Sequence, residues 1–130
     1  MPIQKIVHTP TDGVYAPVSA YAHALEVRDA GRLLFVAGTM GLDPEGVAGA
    51  TLDDQLRLLW SNIRAILASA GMTIDDIVRI TSYLRDPAFV QANAEARARE
   101  LGGRLVPTTA IVAQTLADDW MIEIEVIAAA

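Results

Sequence analysis

Glu123 and Glu125 are the residues of this chain whose type and spacing most plainly suggest chemistry. They alternate with Ile122, Ile124 and Val126 in the run Met-Ile-Glu-Ile-Glu-Val-Ile-Ala-Ala-Ala that begins at Met121. A period of two is the signature of a strand, so both carboxylates share one face and the isoleucines the other. Such a strand is either an exposed edge or half of a site that needs negative charge. In a site, a carboxylate can take a proton or orient a water. The remaining reactive residues are sparse. His8 and His23 are isolated, and there is no cysteine, which excludes disulfides, thiolate nucleophiles and cysteine metal ligands. His8 reads as solvated and His23 as structural. No serine among Ser19, Ser61, Ser69 and Ser82 has an evident base. GxSxG, P-loop, HExxH and helix-leading GxGxxG patterns are all missing, so neither a metal nor a cofactor is expected.

The elements that must position those carboxylates are legible from periodicity. A short strand at Ile3–Val7 precedes a loop marked by Pro10, Gly13 and Pro17, with Tyr15 and Tyr21 near its end. Tyr21–Val27 and Leu33–Thr39 read as a hairpin turned at Gly31. The unbroken apolar run Leu33–Ala37 suggests a central strand covered on both faces. Gly38-Thr39-Met40-Gly41 closes it, and its glycines either bend the strand or let backbone groups face a ligand. Thr51 caps a helix running to Ala70, with Asp53 and Asp54 in its first turn, an apolar stripe at steps of three and four, and Gly71 as its stop. A helical turn at Thr73–Asp76 leads into a strand at Ile77–Leu84. Asp86-Pro87 opens a second helix to about Leu101, and Asn93 lies at the edge of its stripe, where an amide must find partners. Val106–Leu116 and Met121–Ala130 are β-rich runs joined by a short acidic turn, reading as an edge hairpin. Right-handed crossings put both helices on one face of a single mixed six-stranded sheet.

At 130 residues the chain is expected to form one domain spanning 1–130. With 52% hydrophobic residues but only 5% aromatic, it carries more apolar surface than one core hides, so copies of itself should cover the bare sheet face. A net charge of -6 disfavours nucleic acid, whose binding rests on Lys and Arg. No run is long enough to span a membrane and no signal segment is seen, so a soluble cytoplasmic protein is expected.

Three stretches together are specific. Asn62-Ile63-Arg64-Ala65-Ile66-Leu67-Ala68-Ser69-Ala70-Gly71, Asp76-Ile77-Val78-Arg79-Ile80-Thr81-Ser82-Tyr83-Leu84 with Asn93, and Val106-Pro107-Thr108-Thr109 with Ile122–Ala128 resemble the signature of the RidA/YjgF family, reactive intermediate imine deaminases also described as L-PSP endoribonuclease-like. Gly38 and Leu42-Asp43-Pro44 resemble its early glycine and turn. The resemblance implies an α+β, chorismate-mutase-like fold. It implies a homotrimer with helices outward and small-molecule pockets between subunits. It also implies hydrolysis of enamines or imines to 2-keto acids and ammonia, with Glu123 as the acid that handles water. Tyr21, Gly38 and Asn93 match pocket positions, and Thr39 follows the early glycine.

The sequence departs from that family at the arginine that follows the proline of the closing motif and binds the substrate carboxylate. Thr108 or Thr109 stands in its place, and the sequence leaves the choice open. A guanidinium gives charge and orientation that threonine does not. Losing a charged hydrogen bond of about 1.5–3 kcal/mol costs about tenfold to a hundredfold in binding. Weak or absent 2-imino acid deamination is therefore expected, in a pocket suited to neutral or cationic ligands, with Arg64, Arg79 and Arg85 as unplaced sources of charge. The candidate readings are a divergent deaminase or hydrolase, a non-catalytic metabolite-binding or regulatory trimer, and an endoribonuclease, the last opposed by the acidic charge.

Overall fold

The computed structural model describes residues 1–130. The order is β1 (Gln4–His8), β2 (Ala24–Arg28), β3 (Leu33–Met40), α1 (Leu52–Ser69), β4 (Ile77–Leu84), α2 (Val90–Glu100), β5 (Thr108–Val112) and β6 (Ile122–Ala129). Short 3₁₀ turns at Ile74–Asp76 and Pro87–Phe89 precede β4 and α2. The helix signals act as the sequence suggests. Thr51 accepts from the Asp54 N–H at 3.1 Å. At the other end Gly71 takes φ 68°, while the Met72 N–H reaches back to the Leu67 carbonyl and closes the helix. Asp86 caps the Pro87 turn through the Ala88 N–H.

Strand pairing departs from the sequence reading. The six strands form a two-stranded sheet, β1-β2, and a four-stranded sheet in the order β3-β6-β4-β5, rather than one continuous sheet. Neither expected hairpin forms: β2 pairs with β1, and β6 inserts between β3 and β4 instead of pairing with β5. β5 lies parallel to β4 at the far edge. β3 is thus an edge strand of its sheet, and Leu33 and Phe35, expected under cover, are 59% and 71% exposed. A local pattern sets which residues alternate, but not which strand becomes the neighbour.

One core holds the four-stranded sheet against the helices. Ile122, Ile124, Val126 and Ala128 of β6 and Ile80 and Leu84 of β4 join Leu56, Leu59, Trp60, Ile63 and Leu67 of α1 in a single buried cluster that also takes Ala96 of α2. Both helices therefore cover one face. The alternate residues, Glu123, Glu125 and Ile127 on β6 and Arg79, Thr81 and Tyr83 on β4, belong to the other, uncovered face. No helix is long and apolar enough to cross a membrane.

Candidate functional site

The uncovered face carries the polar groups. Glu123 sits on β6 across from Met40 and Tyr83. Its side chain lies against Gly38: a Cβ there would overlap the carboxylate and come within 2.9 Å of its Cδ. The glycine is required by close approach, since its φ is not among the positive values. It falls where the β3-β6 register shifts between Val36 and Thr39, a bulge that re-aims the strand beside the carboxylate.

Beside Glu123, the Tyr83 hydroxyl donates to Glu125 at 2.6 Å. That hydrogen bond, with burial and the charges of Glu125 and Glu123, holds the Tyr83 phenol above its ordinary value. Glu123, Glu125, Tyr83 and Gly38 share a cavity of about 370 Å³ with Gln114 and Thr115. The segment that closes this cavity is held from outside. Buried Gln55 of α1 donates to the carbonyls of Gly49 (3.0 Å) and Asp119 (2.7 Å) and accepts from the Met121 N–H (2.9 Å). Arg85 donates to the Thr115 carbonyl (3.1 Å), the Thr115 hydroxyl (2.9 Å) and the Ala117 carbonyl (3.2 Å).

The threonines of the closing motif part company. Thr108 pairs with Ile80 and belongs to the helix side, where its hydroxyl donates to the Val106 carbonyl at 3.1 Å. Thr109 pairs with Thr81 on the uncovered face and accepts from Arg79 Nη2 at 2.8 Å. A cation therefore stands on the Glu123 face, although the lining of the Glu123 cavity itself includes none. The other two candidate arginines are engaged elsewhere, Arg64 with Glu100 and Arg85 with Thr115 and Asp118.

Within one chain the remaining candidates lie apart from Glu123. Thr39 is turned to the buried side, and its hydroxyl donates to the Ala37 carbonyl at 3.0 Å. Asn93 is 1% exposed beneath α2, with its Oδ1 lacking a protein partner. Tyr21 stacks edge-on to His23, which in turn reaches the Tyr15 carbonyl at 2.7 Å. The adjoining Ala22 N–H ties this segment to the Val106 carbonyl, at the start of the closing motif. Tyr83, Gln114 and Thr115 escaped the sequence reading. For Tyr83 a signal existed, because a polar aromatic alternating with Arg79 and Thr81 marks the same strand face.

Fold and site together define an α+β domain in which a helix-covered sheet presents paired carboxylates on its open side. The sequence model of the family described as endoribonuclease L-PSP matches residues 13–130. A RutC family protein of Pyrococcus horikoshii is 32% identical over 120 residues, covering 91% of this chain and 93% of that protein. The 2-iminobutanoate/2-iminopropanoate deaminase of Salmonella typhimurium is 29% identical over 122 residues, covering 91% and 93%. Among solved structures, the Rid family protein YyfB of Yersinia pestis superposes with a TM-score of 0.81 at 31% identity, over 97% of this chain and 98% of that one. The chain belongs to the RidA/YjgF family, the endoribonuclease L-PSP family of that sequence model.

Proposed function

We propose that this chain is a divergent enamine/imine deaminase, or a related C–N hydrolase, working as a cytoplasmic homotrimer with its pocket between subunits. The observation that carries this reading is the Glu123 carboxylate seated over Gly38, in a cavity shared with the Tyr83–Glu125 pair. A water held by Glu123 adds to the carbon of a C=N bond while the carboxylate accepts its proton. That proton passes to nitrogen to give a carbinolamine, and the carbinolamine's hydroxyl proton is then relayed through the carboxylate to nitrogen as the C–N bond breaks, releasing a carbonyl and ammonia. The naming of a relative as an imine deaminase supports the same chemistry. The trimer reading rests on the uncovered face, where Leu33, Phe35 and Ile111 are exposed around the polar centre. A neighbouring copy packed there would bring its own Tyr21 segment toward Glu123, which one chain alone does not do.

Thr109 in place of an arginine is the reason to propose an altered substrate. The isosteric variant Glu123→Gln is expected to lower ammonia release from enzymatically generated imines by about a hundredfold or more, the usual scale for a lost general base. Turnover unchanged in that variant would refute the role of Glu123. Ligand binding retained without any turnover in the wild type would favour the second reading, a non-catalytic metabolite-binding trimer. An endoribonuclease activity is opposed by the net charge of -6.

A further inference from the structure

Tyr83 stands directly across from Glu123 in the β4-β6 register, and both line the cavity of about 370 Å³. Side chains opposite one another on the same sheet face have Cβ atoms about 4.5–5.5 Å apart. The phenol nevertheless does not give its hydrogen to Glu123. It donates to Glu125, two residues further along β6, at 2.6 Å. Glu123 forms no ion pair within the chain. Its charge is still felt at the phenol, where it adds to the hydrogen bond, the burial and the charge of Glu125 in keeping the proton on Tyr83.

The direction of that hydrogen bond decides what Tyr83 can offer a small molecule. A phenol carries one hydrogen and is also an acceptor. With its hydrogen committed to a carboxylate, Tyr83 Oη presents lone pairs to the cavity, and the anion behind it makes it a stronger acceptor. The other lining side chains do not duplicate this. The Thr115 hydroxyl donates to the Trp120 carbonyl at 2.6 Å and accepts from Arg85 at 2.9 Å, and Gln114 is exposed. Ala113 and Leu116 are apolar. The cavity thus sets a carboxylate and a phenol oxygen, both acceptors, on neighbouring strands. A water has one hydrogen for each of them and a lone pair left over.

We infer that Tyr83 is a second water-orienting residue of this site: the attacking water donates one O–H to Glu123 and the other to Tyr83 Oη, while Glu125 fixes the phenol from behind. This rests on the reading above that Glu123 activates a water in this cavity. As Glu123 accepts the first proton, the water oxygen bonds to the C=N carbon and the π electron pair moves to nitrogen, which then takes that proton. The second hydrogen stays on the oxygen as the carbinolamine hydroxyl, held by Tyr83 until its relay to nitrogen through Glu123. Water and the imine are the only reactants consumed. Glu125 touches neither and is a positioning residue that acts through Tyr83.

The test is the kinetics of ammonia release, above the spontaneous rate, by the purified full chain from 2-iminobutanoate and from benzaldimine, each generated in place by an oxidase. Tyr83→Phe should lower kcat by about tenfold on the faster of the two and leave KM within about twofold, since the lost contact is to water and not to the imine. Glu125→Leu frees the phenol hydrogen to turn toward Glu123 and compete with the water, so kcat should fall by about tenfold or more. Glu125→Gln keeps an acceptor for the phenol and should lose less than either. The double variant Tyr83→Phe/Glu125→Leu should be no slower than the slower single variant, because Glu125 acts through Tyr83. An unchanged kcat in Tyr83→Phe, a loss confined to KM, or losses that multiply in the double variant would each overturn the inference. Should Tyr83→Phe fail to fold, Glu125→Leu carries the same expectation. Failure of the Glu123 reading looks different: Glu123→Gln would then release ammonia as fast as the wild type. A slow Glu123→Gln beside a fast Tyr83→Phe sinks the role of Tyr83 alone, and a wild type that turns over neither imine sinks both.

Discussion

β6 is the same strand seen from two sides, and the sides have opposite physics. Toward the helices, Ile122, Ile124, Val126 and Ala128 are sealed in a shared apolar core. Toward the open face, Glu123 and Glu125 alternate with them, one against a glycine and the other under a phenol. The first side holds the strand in place by burial, which is insensitive to the identity of any one partner. The second depends on single contacts whose loss is felt locally. Stability and the proposed chemistry thus fall on alternate residues of one element, so substitutions one position apart should fail in different ways.

The largest expected effect breaks the covered side. Ile124→Ala should cost about 4 kcal/mol of unfolding free energy in urea titration, because a fully buried isoleucine leaves a cavity that the α1 stripe cannot close. Next, on the open side, Gly38→Ala should lower turnover or ligand binding by about a hundredfold through displacement of the Glu123 carboxylate. Its stability should change far less than that of Ile124→Ala. If the two variants lose stability equally, the division between the faces fails.

Between them stands Gln55, a core amide that serves the open side. Gln55→Ala removes three hydrogen bonds and should cost about 2 kcal/mol. Faster amide exchange over residues 113–121 would locate the damage, while faster exchange confined to α1 would contradict the proposed link. The smallest effect is electrostatic. The hydrogen bond to Glu125 raises the Tyr83 phenol above 10.0, so the folded state holds that proton more tightly than the unfolded chain. Its stabilising contribution is fully present below about pH 10 and is lost as pH rises through the folded value. Tyr83→Phe should therefore show a shallower alkaline loss of stability than the wild type in thermal melts. Parallel alkaline profiles would show that the pair contributes nothing.

Much of the fold was legible because it is written locally. The strand Ile77–Leu84 has the bounds that its pattern suggested, and the Thr51 cap and Gly71 stop mark α1. The alternation of glutamates with isoleucines placed both carboxylates on one face before any partner was known. The hairpins were misread because β2 and β3 are each compatible with several neighbours, and the chosen ones, β1 and β6, lie far off along the chain or past a turn that looked decisive. The site was half legible for the same reason. Glu123 and Gly38 were singled out separately, but their close approach depends on β6 inserting beside β3.

The sequence by itself determined the periods, the caps, the acidic balance and the presence of carboxylates on the last strand, since these depend on residues within a few positions of one another. Only the tertiary structure decided that Arg79 meets Thr109, that Thr108 faces the other way, and that Gln55 holds Met121 across the domain. Those contacts depend on strand order and register, which are set by how whole faces bury against each other and by no local pattern.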